Sequence, residues 1–363
     1  MKSTIKDHLR IVLAIAAKDI RDAIQNKLIL GILIGITFIM LSSQALPLLL
    51  RANAQPQAFF LDPSRTSTLK DLSRDPSLHF TPVNSLAELK KAVGSASIPV
   101  LGLAFSEDLE ISLATNTSLE IPAYRIYWAS GDDLAHLVTY FEEVLSLHTG
   151  RVVHIEIVPE PVYPPAEGLG FTSMITTGFI LGVMSLGLIM APLLLVEEME
   201  NHTLEAILVS PASNTHLVAG KALAGLFYAL VASVVMFAFS WRWIVHWEIA
   251  IPAVILGATS SVAVGLLIGA ISNSPSGVNL WSGMAIVLFL VPVFLWTSVA
   301  PKFSPVFRVA LQAIPSIALS NLLHLSFSRE PALQEVALLL GGMAVFTVVM
   351  LGLVEVRVKK ISR

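Results

Sequence analysis

Residues 171–196, 222–240, 250–272 and 280–300 contain no charged side chain. As helices, runs of this length cross about 30 Å of hydrocarbon. They leave few folds open, because a backbone surrounded by lipid must satisfy its own hydrogen bonds. Residues 28–50 form another uncharged run, and 332–354 form an apolar one that carries only Glu335. Composition agrees with this: 13% of the residues are charged, against about 25% in a typical soluble domain. The expected fold is an α-helical polytopic membrane protein with six transmembrane helices at these positions. Ala52-Asn53-Ala54 resembles a signal-peptidase site. The run before it, however, is longer and starts later than a signal peptide's apolar region of about 7–15 residues, so it is read as an uncleaved span.

The charge that the spans lack is concentrated between the first two. Residues 51–170 hold 15 of the 26 acidic and 8 of the 23 basic residues, which predicts an inserted soluble α/β domain. Ala58–Leu61, Pro99–Phe105, Tyr124–Ala129 and Val152–Val158 read as strands, and Ser85–Val93 and Asp132–Leu147 as helices. Ser85 with Glu88 predicts a capping box, and Asp132 a cap. Pro159, Pro161, Pro164 and Pro165 stiffen the return to the membrane. Residues 301–331 are apolar but broken by Pro301, Pro305, Pro315 and Pro331, a pattern that suits short re-entrant helices covered by protein.

Six spans put both termini on one side. The first 27 residues hold six Lys or Arg and Arg357–Arg363 hold four, whereas the turn at 241–248 holds only Arg242. The positive-inside rule then gives N-in/C-in topology, with the α/β domain outside and the tail 355–363 inside. Trp241, Trp243 and Trp247 fall where the outer interface is expected. Ahead of the first span, in residues 1–27, Ile5, Leu9, Val12, Leu13, Ala16, Ile20 and Ile24 recur at helical spacing among Lys6, Arg10, Lys18, Arg21 and Lys27. This is the pattern of a basic amphipathic helix that can lie among headgroups.

Several kinds of chemistry are absent from the sequence. It contains no G-x-x-x-x-G-K-[ST] loop for ATP and no H-E-x-x-H metal pair. No grouping of serine, histidine and carboxylate suggests nucleophilic catalysis, so no catalytic or metal-binding residue is assigned. Without cysteine there are no disulfides or thiolate metal sites. The spans lack the mid-membrane carboxylate typical of ion-coupled carriers, which points to an energy source outside the chain. Gly31/Gly35, Gly178/Gly182 and Gly265/Gly269 are small-xxx-small steps that let helices approach closely.

The loop 197–221 is unusual. Glu197, Glu198, Glu200 and Glu205 lead into Leu204, Ile207, Leu208 and Val209, and Ser210-Pro211 ends the run. Acids at a helix start are explained by the helix dipole, but the apolar residues are not. An apolar patch rimmed by acids suggests a soluble partner.

Glu198-x-Glu200-x-x-Thr203-Leu204-Glu205-x-x-Leu208-x-Ser210-Pro211, followed by Gly220-Lys221, resembles the signature of ABC-2 type permeases, the membrane subunits of type V ABC exporters. The layout resembles that family as well, in particular the subgroup with a large external domain between spans one and two. Met199 and His202 depart from the pattern, since the family often has a basic residue and a glycine there.

The resemblance implies a permease with no ATPase site or cofactor of its own, ATP and magnesium being bound by a cytoplasmic ABC ATPase subunit. It implies a coupling helix at 197–211 in which Glu198, Glu200, Thr203, Leu204, Glu205, Leu208, Ser210 and Pro211 meet that ATPase. A second copy of the chain, or a homologous permease, would complete the transporter in the cell's inner (cytoplasmic) membrane, among membrane lipids and without nucleic acid. A hydrophobic or amphipathic cargo such as a drug, lipid or lipid-linked molecule is expected. The alternatives are a sodium-efflux permease, or a sensor or scaffold whose external domain binds a ligand.

Overall fold

The structure, a computed structural model, describes residues 5–25, scattered positions from 27 to 42, 55–64, 66–75, 78–106, 118–164, 171–200, 213–272, 274–299 and 304–361. The chain divides into two compact units. One comprises Met1–Gln44, Ser173–Ser326 and Glu330–Arg363, and the other Ala45–Thr172 with Phe327–Arg329.

The second unit is the α/β domain. Its elements are β1 (Gln57–Leu61), α2 (Ser67–Leu72), β2 (His79–Val83), α3 (Leu86–Ser95), β3 (Leu101–Ala104), β4 (Ser118–Arg125), α4 (Gly131–Thr149) and β5 (Val152–Ile157); α1 belongs to the other unit. The sheet order is β2-β1-β3-β4-β5. β1 runs parallel to β2 and β3, β3 antiparallel to β4, and β4 parallel to β5. Leu69 and Leu72 of α2 and Leu134, Phe141 and Leu145 of α4 share one core with Phe60, Leu103 and Ile121 of the sheet. α3 covers the other face, where Leu89 and Val93 lie over Gly102 of β3. Burying apolar area on both faces in this way stabilises a sheet that alternation alone would leave half-wet.

Several local expectations shift. The strand expected at Tyr124–Ala129 lies at Ser118–Arg125, where Leu119, Ile121 and Ala123 are buried and alternate with exposed Ser118, Glu120 and Pro122. Ile126 makes only a bridge to Val162. β2 was not anticipated, because His79–Val83 buries one side chain, Phe80, and carries a proline at a sheet edge. The cap of α4 is Ser130, not Asp132. Ser130 Oγ accepts from the Asp133 amide, and Asp133 accepts from the Ser130 amide. Ser85 does cap α3, but the return bond from Glu88 reaches the amide of Asn84.

The first unit is helical. It contains α1 (Ile5–Gln25), then α5, built from Phe171–Phe179, a π-turn Ile180–Met184 and Ser185–Glu200, followed by α6 (Asn214–Ser240) and α7 (Trp247–Ile271). α8 (Pro275–Val299), two short helices α9 (Pro305–Gln312) and α10 (Pro315–Phe327), and α11 (Leu333–Ile361) complete it. Among the described residues five helices, α5 to α8 and α11, are long and apolar enough to cross a membrane. Of the expected first span at 28–50 only scattered residues are described. α9 and α10 occupy 301–331 as short helices separated at Pro315, consistent with the proline spacing.

α5 is the axis of this unit: 89% of its most apolar window is buried, against 22% for α8 and α11. It packs on α7 through glycines. A Cβ on Gly187 would lie 2.1 Å from Ser261 Oγ, and one on Gly265 would lie 2.6 Å from the Gly187 carbonyl oxygen. Such backbone-to-backbone approach is how helices associate where lipid removes the hydrophobic drive.

α6 starts at Asn214, eight residues before the expected boundary at 222. The charge of Lys221 ended the uncharged run in the sequence, but in the folded chain that charge is paired and the helix runs through it.

Candidate functional site

The residues singled out for coupling straddle the edge of the described chain. Glu198 and Glu200 fall in the last turn of α5, so the acids expected to open a helix close one instead, at the end where the helix dipole disfavours them. Thr203, Leu204, Glu205, Leu208, Ser210 and Pro211 lie outside the described residues. The structure therefore shows what frames this segment: the end of α5 on one side and the start of α6 on the other. Residues 213–221, expected within the loop, are instead the cap and first two turns of α6.

That start is tightly specified. Ser213 is the N-cap of α6, and its hydroxyl accepts from the His216 amide at 3.4 Å. His216 Nδ1 accepts from the Ser213 amide at 2.9 Å. This is a capping box in which histidine takes the place usual for Glu or Gln. The amide donor fixes Nδ1 as the bare nitrogen, so Nε2 carries the proton and donates to His8 Nδ1 of α1 at 2.6 Å. The two imidazole rings stack with centroids 4.8 Å apart.

Beyond the histidines, α1 and α6 run side by side in the same direction. Gly220 allows the approach: a Cβ there would lie 2.5 Å from Ile15 Cγ2 and 3.4 Å from the Val12 carbonyl oxygen. One residue on, Lys221 Nζ donates to Asp19 Oδ1 at 2.8 Å. The side chains are 1% and 4% exposed respectively. Farther along, the Tyr228 hydroxyl donates to the Ile20 carbonyl at 2.8 Å. A lone lysine or aspartate in so apolar a setting would be costly. Together each neutralises the other, and the pair sets one register between the helices.

This changes the reading of α1. Its buried side runs through Val12, Ile15, Ala16, Asp19 and Ile20, whereas Leu9, Leu13 and Ile24 are exposed. The apolar stripe read from the sequence is therefore split. Part of it packs on α6, and Leu9, Leu13 and Ile24 point away from that contact. The sequence reading missed Asp19, His216 and Tyr228. For Asp19 a signal existed, since it sits seven residues after Val12 and three after Ala16, on the face expected to be apolar. Gly220-Lys221 had been noted only through the family resemblance.

Leu9 of α1, Val218 and Leu226 of α6, Val262 of α7 and Leu351 of α11 line an apolar cavity of about 520 Å³. Thr215, Thr259 and Glu355 are its polar members. Among the described residues no group of His, Asp and Glu side chains could hold a metal ion.

No curated protein matches the chain. A family model described as ABC-2 family transporter protein matches residues 27–354, a range that takes in the inserted α/β domain, the spans and the segment between α5 and α6. A helical unit with five long apolar helices among the described residues and an inserted domain between the first two expected spans fits that description, and the chain belongs to the ABC-2 family of transporter proteins, multi-pass membrane components of ABC transporters.

Proposed function

We propose that the chain is the permease subunit of an ATP-driven exporter that moves a hydrophobic or amphipathic molecule out of the cytoplasm or inner leaflet. Hydrolysis is the work of a separate cytoplasmic ABC ATPase, which binds ATP and magnesium. Two permeases, either two copies of this chain or this chain with a homologue, assemble with two ATPases in the cytoplasmic membrane. Residues 197–211 are the coupling helix, with Glu200, Thr203, Leu204, Glu205 and Leu208 as its main contacts.

The observation that carries this reading is the joint between α1 and α6. A push on 197–211 reaches α6 within a few residues, at Ser213. There the His216–His8 contact and the buried Asp19–Lys221 pair make α1 and α6 move together. An otherwise passive loop would have no need of so specified an anchor. The apolar cavity supports hydrocarbon as cargo or as bound lipid, since apart from Thr215, Thr259 and Glu355 its lining is apolar.

The test is co-purification. Leu204→Asp places a charge in the apolar half of the coupling helix and is expected to reduce ATPase recovery at least tenfold while the chain still inserts. Full recovery together with unimpaired transport would remove the coupling role. Orientation is tested separately. The chain has no native cysteine, so Leu147→Cys on an 80% exposed position of α4 gives a single reactive thiol. Labelling by an impermeant maleimide on intact cells is expected. Labelling only after lysis would reverse the topology.

A further inference from the structure

Pro192 interrupts α5 in its second half, eight residues before Glu200. Proline has no amide hydrogen, so the carbonyl four residues earlier loses its partner within the helix. That carbonyl belongs to Leu188, and the hydroxyl of Ser282 on α8 donates to it at 2.9 Å. Ser282 is buried, on a narrow seam with Val278, Ala285 and Val293. α8 packs chiefly on α5, and the Ser282 hydroxyl ties the two helices by a hydrogen bond. A serine from a neighbouring helix is one of the few ways to satisfy a proline-freed carbonyl in a membrane.

The same stretch of α5 carries a second irregularity. Residues Ile180–Met184 form a π-turn, two turns before the proline. π-turns and prolines are the recognised causes of helix bends, and π-turns concentrate at functional sites. α5 is therefore weakened at two points within 13 residues, 180 to 192.

The two neighbours hold this stretch differently. On the α7 side the contact is backbone on backbone. A Cβ on Gly269 would lie 2.9 Å from Pro192 Cα, and one on Gly265 would lie 3.0 Å from Pro192 Cδ. That contact cannot be released without parting the helices. On the α8 side the Ser282 hydroxyl meets the Leu188 carbonyl from a side chain. By rotating about χ1, Ser282 can turn from Leu188 to a carbonyl one turn back in its own helix, a bond that serine commonly makes. One side is fixed and the other can switch.

We propose that α5 is jointed between Ile180 and Pro192 and that Ser282 is a positioning residue, latching α8 to the joint through the Leu188 carbonyl and releasing it as α5 changes its bend. The latch rests on the transport reading above, because the driving movement enters α5 from its end at 197–200.

The test uses hydrogen–deuterium exchange of amides 185–196 in the full chain, in lipid nanodiscs. Ser282→Ala is expected to raise their exchange about tenfold, the factor matching a hydrogen bond of ordinary net strength. Ser282→Thr, which keeps the hydroxyl, should stay near wild type. In a Pro192→Ala background the restored amide at position 192 reclaims the Leu188 carbonyl. There Ser282→Ala should change exchange less than twofold. An equal effect of Ser282→Ala in both backgrounds would overturn the latch, since the hydroxyl would then be acting by packing alone.

A second arm adds the co-purifying ATPase, trapped with ATP and vanadate. Wild-type exchange in 185–196 should rise on trapping, whereas Ser282→Ala should be fast in both states. A wild-type chain whose exchange ignores the trapped nucleotide would overturn release during the cycle. If no ATPase binds, the transport reading fails, and the Pro192→Ala comparison decides by itself whether the hydroxyl holds the joint.

Discussion

Lys221→Met lowers the stability of the helical unit by about 3–5 kcal/mol, the range seen when one member of a buried ion pair is removed. The side chains are similar in length, so little packing is lost. What remains is an Asp19 carboxylate, 3% exposed, without the ammonium that neutralised it. The double variant Asp19→Leu/Lys221→Met recovers most of the loss, because replacing both charges with apolar groups removes the desolvation cost as well as the attraction. Melting in detergent, arranged as a double-mutant cycle, reads the coupling directly. Additive losses would mean that the two residues act independently. The double variant also separates stability from function. If the pair serves only to hold α1 against α6, the recovered protein transports normally. If its register carries the push from 197–211, ATPase stimulation stays impaired although the fold has been restored.

Gly265→Val costs about 3 kcal/mol or more, the upper range of overpacking in a closely packed interior. The first added carbon meets the Gly187 carbonyl oxygen at 2.6 Å and Leu188 Cα at 3.3 Å. These are backbone atoms of the most buried helix, so α5 and α7 must separate and lose contact along their length. Gly187→Ala meets Ser261 Oγ at 2.1 Å and Ser261 Cβ at 2.9 Å. Those two contacts are with a side chain, while the one to Val262 N at 3.0 Å is with backbone, so Ser261→Gly should rescue part of the Gly187→Ala loss and leave Gly265→Val unimproved. Gly31→Ala and Gly35→Ala have nothing within 4 Å in this chain and should change the melting of the same preparation by less than about 0.5 kcal/mol. Equal losses at all these glycines would contradict the α5–α7 contact.

The glycine series shows what a sequence pattern leaves undecided. Gly31/Gly35 and Gly265/Gly269 are the same spacing in the same kind of apolar run. Only the second pair lies against another helix of this chain, at Pro192. The spacing states that a close approach is possible, and the partner is chosen by where the other helices lie.

Five of the six expected spans, by contrast, match long apolar helices among the described residues. Lipid imposes one local rule on the backbone, and runs of uncharged residues follow it within a single stretch of chain. The inserted domain showed itself by its charge, and α3 and α4 by periodicity. β2 was missed because an edge strand with one buried side chain has almost no pattern to read. The start of α6 was misplaced because local hydropathy counts Lys221 as a charge, and only a partner 202 residues away cancels it.

Residues 197–211 stood out in the sequence by a composition that a plain turn would not need. The sequence by itself determined a multi-pass helical protein, an inserted α/β domain and an acidic-apolar segment between two spans, because each of these is a property of neighbouring residues. Only the tertiary structure decided that Asp19 faces Lys221, that His216 completes the capping box of Ser213 while donating to His8, and that Ser282 satisfies the carbonyl Pro192 sets free. Each is a pairing across long sequence separation, made favourable by burial that neither residue has until the helices come together.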